Sequence, residues 1–280
     1  MKIQFLSLFA LALGVMGAAA ETFSKPVGLQ LYSLRDQFKK DVPGTMEWVA
    51  KQGFKEVELA TTYGMKAEDF LALLKKNGLT AVAGHFPYDR YKNEPEKIAA
   101  EAKELGLKYA GVAWITHKDA FDEKECREAA EVFNKAGEVL KKEGIQFYYH
   151  IHGYEFQKHG DGTLFDLLME LTDKENVVYQ LDTLWAVLPA QDPVALLEKY
   201  GSRWQLMHLK DLKKGVELGT LAGGTDVKND VTLGTGQMDW PGILKAAGKA
   251  GVKHYFIEDE SPSSVEQIPG SLGFLKTVKW

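Results

Sequence analysis

Short runs of β-forming residues alternate with amphipathic helical stretches along this chain. Several runs are apolar almost throughout, as expected for parallel strands that are covered on both faces. Eight runs occur in order: Val27–Tyr32, Glu56–Leu59, Thr80–Gly84, Tyr109–Ala113, Ile145–His150, Val177–Leu181, Gln205–Leu209 and Lys253–Ile257. Eight strand–helix units in about 250 residues are the size of a closed (β/α)8 barrel. The alternation therefore predicts a single-domain α/β TIM barrel.

The longest helical stretch, Asp122–Glu143, shows how the units are joined. Asp122 is expected to cap its amino end, and Gly144 to take the left-handed conformation just past its carboxyl end. Glycine recurs at that place before other strands, which fixes the order helix–glycine–strand. The apolar residues repeat at helical spacing and predict one buried stripe: Cys126, Ala129, Ala130, Phe133, Ala136 and Leu140.

An open, doubly wound sheet is the competing architecture. Such a sheet normally has a glycine-rich phosphate turn after its first strand. The residues from Gln30 to Leu34 read Gln-Leu-Tyr-Ser-Leu and contain no glycine. We therefore favour the closed barrel, with one long irregular loop, Lys213–Gln237, lying over its mouth. Loops of that length inside a compact domain are usually functional.

The first twenty residues have the pattern of a secretory signal peptide. Lys2 precedes an apolar run, Ile3–Val15, and the small residues of Gly17–Ala20 suit a cleavage site. The apolar run is short for a bilayer span, which counts against an uncleaved anchor. We expect residues 1–20 to be removed and residues 21–280 to form the barrel. The mature chain is then periplasmic or secreted, without stable membrane association.

Charge and cysteine content narrow the class of partner. The net charge is −5 and becomes −6 when residues 1–20, with their single lysine, are removed. No basic block compensates, so nucleic acid is not expected as a partner. Cys126 is the chain's single cysteine and has no internal disulfide partner. With 45% hydrophobic residues the chain can bury a large core without one. A homo-oligomer is compatible with this composition.

Reactive side chains are concentrated where the predicted strands end. In (β/α)8 barrels these ends and the loops that follow them form the active site. Five of the seven histidines occupy such positions: His85, His117, His150, His152 and His208. Carboxylates stand at the ends of the sixth and eighth strands, at Asp182 and Glu258. Imidazole and carboxylate groups without thiolate favour a divalent ion such as Mn²⁺, Mg²⁺, Co²⁺ or Zn²⁺.

Several segments together resemble the xylose-isomerase-like barrel superfamily, in particular the sugar phosphate isomerase/epimerase family. The resemblance extends over the whole mature chain. Its segments are Gly28–Asp36, Val57–Leu59, Gly84–His85, Tyr149–Phe156, Leu181–Asp182 and Met207–Asp211. It implies a metal-dependent enzyme that acts on a small carbohydrate.

The resemblance also implies a ligand set for the metal. In this superfamily an acid on strand five, an Asp on strand six, a His on strand seven and a Glu on strand eight hold the ion. Asp182, His208 and Glu258 match the last three positions. Strand five departs from the pattern, because His150 stands where a glutamate is expected. We favour His150 as the fourth ligand, with Glu155 as the alternative.

This departure leaves two reaction types open. The leading interpretation is a sugar isomerase or epimerase that acts on a non-phosphorylated sugar or keto-sugar by proton transfer beside a carbonyl. The superfamily's epimerases use two glutamates for that transfer, and here one is replaced. The alternative is therefore a dehydratase or lyase for a keto-sugar or keto-glycoside, with one-sided proton abstraction by an imidazole or by Glu155. His152, Glu155 and Lys210 are the candidate catalytic residues.

Further residues at the strand ends are candidates for contact with substrate. Glu58 and His85 are placed to bond sugar hydroxyls, and aromatic rings can stack on the apolar face of a pyranose. The candidates are Tyr32, Glu58, His85, Trp114 and Trp185.

Non-enzymatic and structural interpretations compete with these. An exported sugar-binding protein without activity would need the same cavity. The endonuclease branch of the superfamily also uses strand-end metals, but it needs a basic surface that this chain lacks. Asp182 could cap a helix, His208 could be a core histidine, and Glu258 could belong to a solvated acidic rim.

Overall fold

A computed structural model describes residues 22–280 of the chain. Within them, eight parallel strands pair in sequence order, and the last pairs with the first to close a barrel. The strands are β1 Val27–Gln30, β2 Glu56–Leu59, β3 Thr80–His85, β4 Tyr109–Val112, β5 Gln146–His150, β6 Val177–Asp182, β7 Trp204–Leu209 and β8 His254–Ile257. The predicted (β/α)8 barrel is confirmed. The predicted signal peptide at residues 1–20 lies outside the described residues.

Helices cover the outside of the barrel and connect its strands. They are α1 Arg35–Phe38, α2 Val42–Lys51, α3 Ala67–Lys76, α4 Tyr88–Asn93, α5 Pro95–Glu104, α6 Glu123–Lys142, α7 Leu164–Leu171, α8 Thr183–Val187, α9 Pro193–Tyr200, α10 Trp240–Ala250 and α11 Ser264–Leu275. In the part of the chain that the structure describes, no helix is both long enough and apolar enough to cross a membrane.

Strand β1 is shorter than the sequence predicts, whereas the other seven strands begin and end within one residue of their predicted bounds. The expected Val27–Tyr32 stops at Gln30. The side-chain oxygen of Gln30 accepts a hydrogen bond from the backbone N–H of Tyr32 at 3.0 Å, which turns the chain into a 3₁₀ helix at Leu31–Leu34. This turn leaves the ring of Tyr32 43% exposed at the mouth of the barrel.

Helix α6 has the predicted caps and the predicted buried face. Asp122 accepts from the N–H of Glu125, whose side chain accepts from the N–H of Asp122, so the two form a capping box. Gly144 follows the helix with φ +73°. Cys126 lies fully buried on the apolar face, and burial raises the pKa of its thiol to about 12.

Side chains that point into the barrel form an apolar floor with a polar layer above it. The floor is a buried cluster of Val82, Ala83, Tyr109, Tyr148, Val178, Leu206 and Phe256. Successive side chains of a strand point to opposite faces, so the inward residue two positions further along lies one level higher. These higher residues are polar and buried, and we call them the polar layer: Gln30, Glu58, His150, Gln180 and His208.

The long loop after β7 lies over the mouth, as predicted. Its N–H at Gly219 donates to the carbonyl of Leu188 at 2.7 Å. Gly223, with φ +64°, packs so closely on the rings of Trp114 and Tyr154 that a Cβ would lie 2.8 Å from each. The loop therefore spans the mouth from the β6 side to the β4 side.

Asp211 holds the far end of this loop against its start. Its carboxylate accepts from the N–H groups of Gly234 and Gly236, at 2.8 and 3.1 Å, and from the indole of Trp240 at 2.9 Å. A short antiparallel ladder between Asp211–Leu212 and Asp230–Val231 adds backbone hydrogen bonds. Both ends of the loop are thus fixed at one buried carboxylate.

Candidate metal centre

Three predicted ligands lie together at the carboxyl ends of β5, β6 and β7. His150, Asp182 and His208 each offer one ligand atom, and these atoms lie within 4.8 Å of one another. The three side chains are at most 2% exposed. This spacing allows one ion of transition-metal size to contact all three. We call these three residues the metal group.

Asp182 provides the test of whether these residues suit a metal. Its Oδ1 accepts from the N–H of Trp185 at 3.0 Å and so caps α8. Its Oδ2 is buried and accepts no hydrogen bond, although the rings of His150 and His208 face it at 4.0 and 3.6 Å. A buried carboxylate oxygen without a partner is costly unless a cation or donor fills the gap. The donor set therefore fits a divalent ion, and the capping role coexists with it.

Glu258 adjoins the same group as a fourth oxygen donor. Its Oε2 lies 3.0 Å from Nδ1 of His208 and 3.2 Å from Nζ of Lys210. Burial alone would raise the pKa of this carboxyl, but the charges of Lys210 and His208 outweigh it and hold the pKa well below its usual range. Glu258 is therefore ionised, as a ligand must be.

Glu58 lies beneath the metal group at the centre of the polar layer. It is fully buried, and its carboxylate accepts from Gln30 at 2.8 Å, Tyr148 at 2.5 Å, Gln180 at 2.9 Å and Nε2 of His208. Burial would raise its pKa, yet the neighbouring histidines, His208 foremost, lower it to about 2. Predicted as a substrate contact, Glu58 instead binds the protein's own donors and lies outside the cavity wall.

A cavity of about 290 Å³ opens above the metal group. Among the described residues its wall consists of Gln30, Tyr32, Ala60, His85, Ala113, His150, His152, His208, Glu258 and Glu260. Six of the predicted site residues are therefore on this wall, and none of the ten is lysine or arginine. The wall combines imidazole rings with two carboxylates, which suits an uncharged polyhydroxylated ligand better than an anion.

His85 and His152 line this cavity, and each has a buried ring nitrogen without a hydrogen-bond partner among the described residues. The unpaired atoms are Nε2 of His85 and Nδ1 of His152. Burial lowers the pKa of both rings, and with the charge of Lys210 it brings the pKa of His152 to about 3. His152 is therefore a neutral imidazole at neutral pH and can accept a proton.

The two predicted tryptophans are not among the described residues that line the cavity, but both contact His152, which does line it. Trp185 is 5% exposed and stacks on the ring of His152, with centroids 5.1 Å apart. Trp114 stacks on His117 at 5.0 Å and meets His152 edge-on at 5.4 Å. Trp114, which is 39% exposed, also packs on Gly223 of the overlying loop. Stacking of the two rings on a sugar stays a prediction.

Glu155 is placed on the outer side of β5. Its carboxylate accepts from the hydroxyl of Tyr149 and from the backbone N–H of His152. Tyr149 packs between barrel and helices, 4.9 Å from the ring of Phe133. In this position Glu155 stabilises the turn after β5, and the geometry supports neither the predicted base nor the alternative ligand.

Lys210 is also set back from the cavity. Its ammonium is buried and lies 2.5 Å from Glu260, 3.2 Å from Glu258 and 3.9 Å from Asp182 and from Asp230. Burial would lower its pKa, but these four carboxylates raise it well above the usual value. Lys210 therefore balances the charge of Glu258 beside the metal group. It is not among the described residues of the cavity wall, and its catalytic role stays a prediction.

Four further residues contact the predicted ones: Gln30, Tyr148, Gln180 and Glu260. Gln180 and Tyr148 stand two positions before Asp182 and His150, and so point inward from the same strands. The two-residue periodicity of a strand was therefore the signal that could have identified them. Glu260 lies beyond β8, where loop conformation decides the direction of the side chain.

Comparison with known proteins gives a consistent family. The family model of the xylose isomerase-like TIM barrel matches residues 46–278. An inosose dehydratase from Clostridium beijerinckii is 28% identical over 191 residues, which are 60% of this chain and 62% of that relative. The match thus spans less than two thirds of the relative's length.

Solved structures extend the likeness over nearly the whole chain. A sugar phosphate isomerase/epimerase from Parabacteroides distasonis superposes with a TM-score of 0.75 at 25% identity, covering 96% of this chain and 99% of the other. The IolI protein, solved with a bound zinc atom, shares the fold at 15% identity, with a TM-score of 0.70 over 89% of this chain and 95% of the other. The chain belongs to the family of xylose isomerase-like TIM barrels.

Proposed function

We propose that this protein is a divalent-metal-dependent enzyme that moves a proton beside the carbonyl of a non-phosphorylated keto-sugar or keto-cyclitol, and that it then eliminates a β-substituent. One observation carries the choice of elimination. The cavity presents a buried neutral imidazole, His152, while the strand-five position that would hold a second glutamate is His150. One proton carrier suffices for elimination, whereas epimerisation by two flanking glutamates needs both.

His150, Asp182, His208 and Glu258 would hold the ion. The ion, when bound, would polarise the substrate carbonyl and so acidify the neighbouring C–H. Asp182 and Glu258 would bring negative charge to the ion, and the charge of Lys210 keeps Glu258 ionised. The tight packing of these side chains fixes the geometry before substrate binds.

His152 is the residue proposed to move the proton. A ring nitrogen of His152, which lines the cavity, would take the proton from the carbon beside the carbonyl. The electrons of that C–H bond form a C=C bond as the bond to the β-oxygen breaks. The imidazolium of His152 then returns its proton to the leaving oxygen. Trp185 stacks on the ring and holds its plane throughout.

The nature of the cavity supports a substrate without phosphate. Glu258 and Glu260 contribute negative charge, and the ten residues of the wall include neither lysine nor arginine. We extend the proposal to export: with the signal sequence expected at residues 1–20, the enzyme would meet its sugar in the periplasm or outside the cell.

Epimerase or isomerase activity is the second candidate. It is favoured by the likeness to the Parabacteroides distasonis isomerase/epimerase, which covers nearly all of both chains. The relative named inosose dehydratase favours elimination instead.

The deciding experiment incubates the purified full chain with Mn²⁺ or Zn²⁺ and a panel of keto-inositols, keto-sugars and keto-glycosides in D₂O. Loss of water or of an aglycone from the substrate, detected by mass spectrometry and NMR, supports elimination. Deuterium incorporation with the substrate's formula otherwise unchanged would support the epimerase. Sugar binding that is indifferent to a chelator, with no turnover of the panel, would overturn both and indicate a binding protein.

A further inference from the structure

Both histidines of the metal group are held from behind by hydrogen bonds that lead to one carboxylate. Nε2 of His208 donates directly to Oε2 of Glu58. Nδ1 of His150 bonds the side-chain oxygen of Gln180 at 2.9 Å, and the NH₂ group of Gln180 donates to Oε1 of Glu58 at 2.9 Å. One buried acid is therefore linked to both rings, on the side away from Asp182.

The chemistry of these groups fixes where each proton lies. A carboxylate only accepts, so it requires the N–H of His208 to be on Nε2 and the NH₂ of Gln180 to face it. The oxygen of Gln180 then faces His150 and requires that ring's proton to be on Nδ1. The lone pair left over on His150 is that of Nε2. Nδ1 of His208 donates to the carboxylate of Glu258 at 3.0 Å, so it carries the proton that an incoming ion would displace.

One nitrogen of each ring faces the gap at Asp182. Nδ1 of His208 and Nε2 of His150 lie 3.6 and 4.0 Å from the unpartnered Oδ2. The two histidines thus present different ring nitrogens to the gap, and each is the nitrogen that is not bonded to Glu58 or Gln180.

We propose that Glu58 is a positioning residue that selects the metal-binding nitrogen of both His208 and His150, the second through Gln180. This inference rests on the proposed metal site and assigns the selection of its ligand atoms to a residue that touches neither ion nor cavity. Partners of this kind orient metal-bound histidines, and their loss typically lowers metal affinity 10- to 100-fold.

The variant Glu58→Gln tests the selection because it turns one acceptor oxygen into a donor. Gln30, Tyr148, Gln180 and His208 all donate to this carboxylate, so at least one of them must reverse. Gln30 is held in place by its bond from the N–H of Tyr32. The hydroxyl of Tyr148 can accept one hydrogen of the new amide at position 58. The second amide hydrogen then points at the NH₂ group of Gln180, which must turn over to accept it. Reversal at Gln180 or His208 moves a histidine proton onto the metal-facing nitrogen.

The measurement combines zinc affinity, from titration against a chelator, with ¹⁵N NMR of histidine-labelled protein. We expect the wild type to show a proton on Nδ1 of His150, with and without zinc, and one on Nε2 of His208 when zinc is bound. Glu58→Gln should bind zinc about 10- to 100-fold more weakly, with altered protonation of at least one of the two rings.

Tyr148→Phe is the matched control, since it removes a donor from the same carboxylate while leaving both links to histidine intact. It should keep both protonation patterns and bind zinc within about threefold of the wild type. If Glu58→Gln does not fold, Gln180→Leu tests the His150 branch alone and should move the proton of that ring.

A proton on Nε2 of His150 in the metal-free wild type would overturn the inference. Unchanged protonation and unchanged zinc affinity in folded Glu58→Gln would do so as well. A wild-type protein that shows the expected His150 proton but binds no divalent ion would overturn the metal-dependent function instead, so the two failures are distinguishable.

Discussion

The Oδ2 atom of Asp182 lies 3.6 Å from Nδ1 of His208, and no hydrogen bond from the described residues satisfies it. Its partner oxygen Oδ1 is bonded to the N–H of Trp185, so the side chain cannot turn away without uncapping α8. The fold thus holds one negative oxygen in a buried gap between two imidazole rings. That arrangement is the basis for the first two predictions.

Asp182→Asn should weaken Zn²⁺ or Mn²⁺ binding by about two orders of magnitude or more, because it removes the charged oxygen from the gap while an amide oxygen can still cap α8. Isothermal titration measures the change. Asp192→Asn is a matched control, since Asp192 also caps a helix, by accepting from Val194, but on the surface. Equal affinities in wild type and Asp182→Asn would remove Asp182 from the ligand set.

Metal should stabilise the folded protein against heat. At a free ion concentration 100 times Kd, binding to the native state alone contributes about 2.7 kcal/mol. For a chain of this size that raises Tm by roughly 5–10 °C. Differential scanning calorimetry with Zn²⁺, and then with excess chelator, measures the shift and its reversal. A Tm that does not respond to either addition contradicts the proposed site.

His152→Asn should lower kcat by about 10²- to 10⁴-fold, the usual contribution of a positioned general base. Zinc affinity should remain within a few-fold, because His152 is not one of the three residues whose ligand atoms lie together. Steady-state kinetics and metal titration on the same preparation separate the two effects. Loss of metal binding in parallel with activity would assign His152 to the ion instead.

Glu155→Gln should affect stability and leave catalysis nearly intact. The amide loses one of the acceptor oxygens that bond Tyr149 and the N–H of His152, in a site that is fully buried. We expect a loss of about 1–3 kcal/mol in unfolding free energy, measured with urea, and a kcat within about fivefold of the wild type. A loss of activity as large as that of His152→Asn would restore Glu155 as a catalytic residue.

Acid should remove a stabilising contact at Asp166, far from the metal centre. Burial raises the pKa of this carboxyl, but Lys199, Tyr200 and Thr163 outweigh it and lower the pKa to about 2. Because the folded pKa lies below the unfolded value of about 3.9, the contribution is complete above that value and is lost as pH falls toward 2. The urea midpoints of wild type and Asp166→Asn should therefore differ at pH 6 and converge near pH 2. A gap that persists in acid contradicts this.

The fold and the positions of the candidate ligands could be predicted because both depend on short-range periodicity. Apolar runs joined by amphipathic helices fix the strand order, and the residue at a strand's end is known to within a position or two. His150, Asp182, His208 and Glu258 are all placed by that rule. Predicting these strand-end positions requires no information about contacts between residues that are distant in sequence.

The direction of side chains beyond the strand ends could not be predicted in the same way. Glu155 follows a turn with left-handed Gly153, and it is this turn that places its carboxylate outside β5. Lys210 lies one residue beyond β7, and its ammonium is held by acids from two other segments. Such positions depend on contacts between parts of the chain that are distant in sequence.

The buried carboxylate of Asp211 has a consequence for how this protein can diversify. Asp211 follows strand β7, where the loop begins, and it bonds Gly234 and Gly236, where the loop ends. The two ends of the loop are therefore joined independently of the residues between them. Lengthening or shortening such a loop costs little free energy, since closure entropy varies slowly with length. The loop that covers the cavity can therefore change in length and sequence to suit new substrates, while the barrel and the candidate metal ligands stay unchanged.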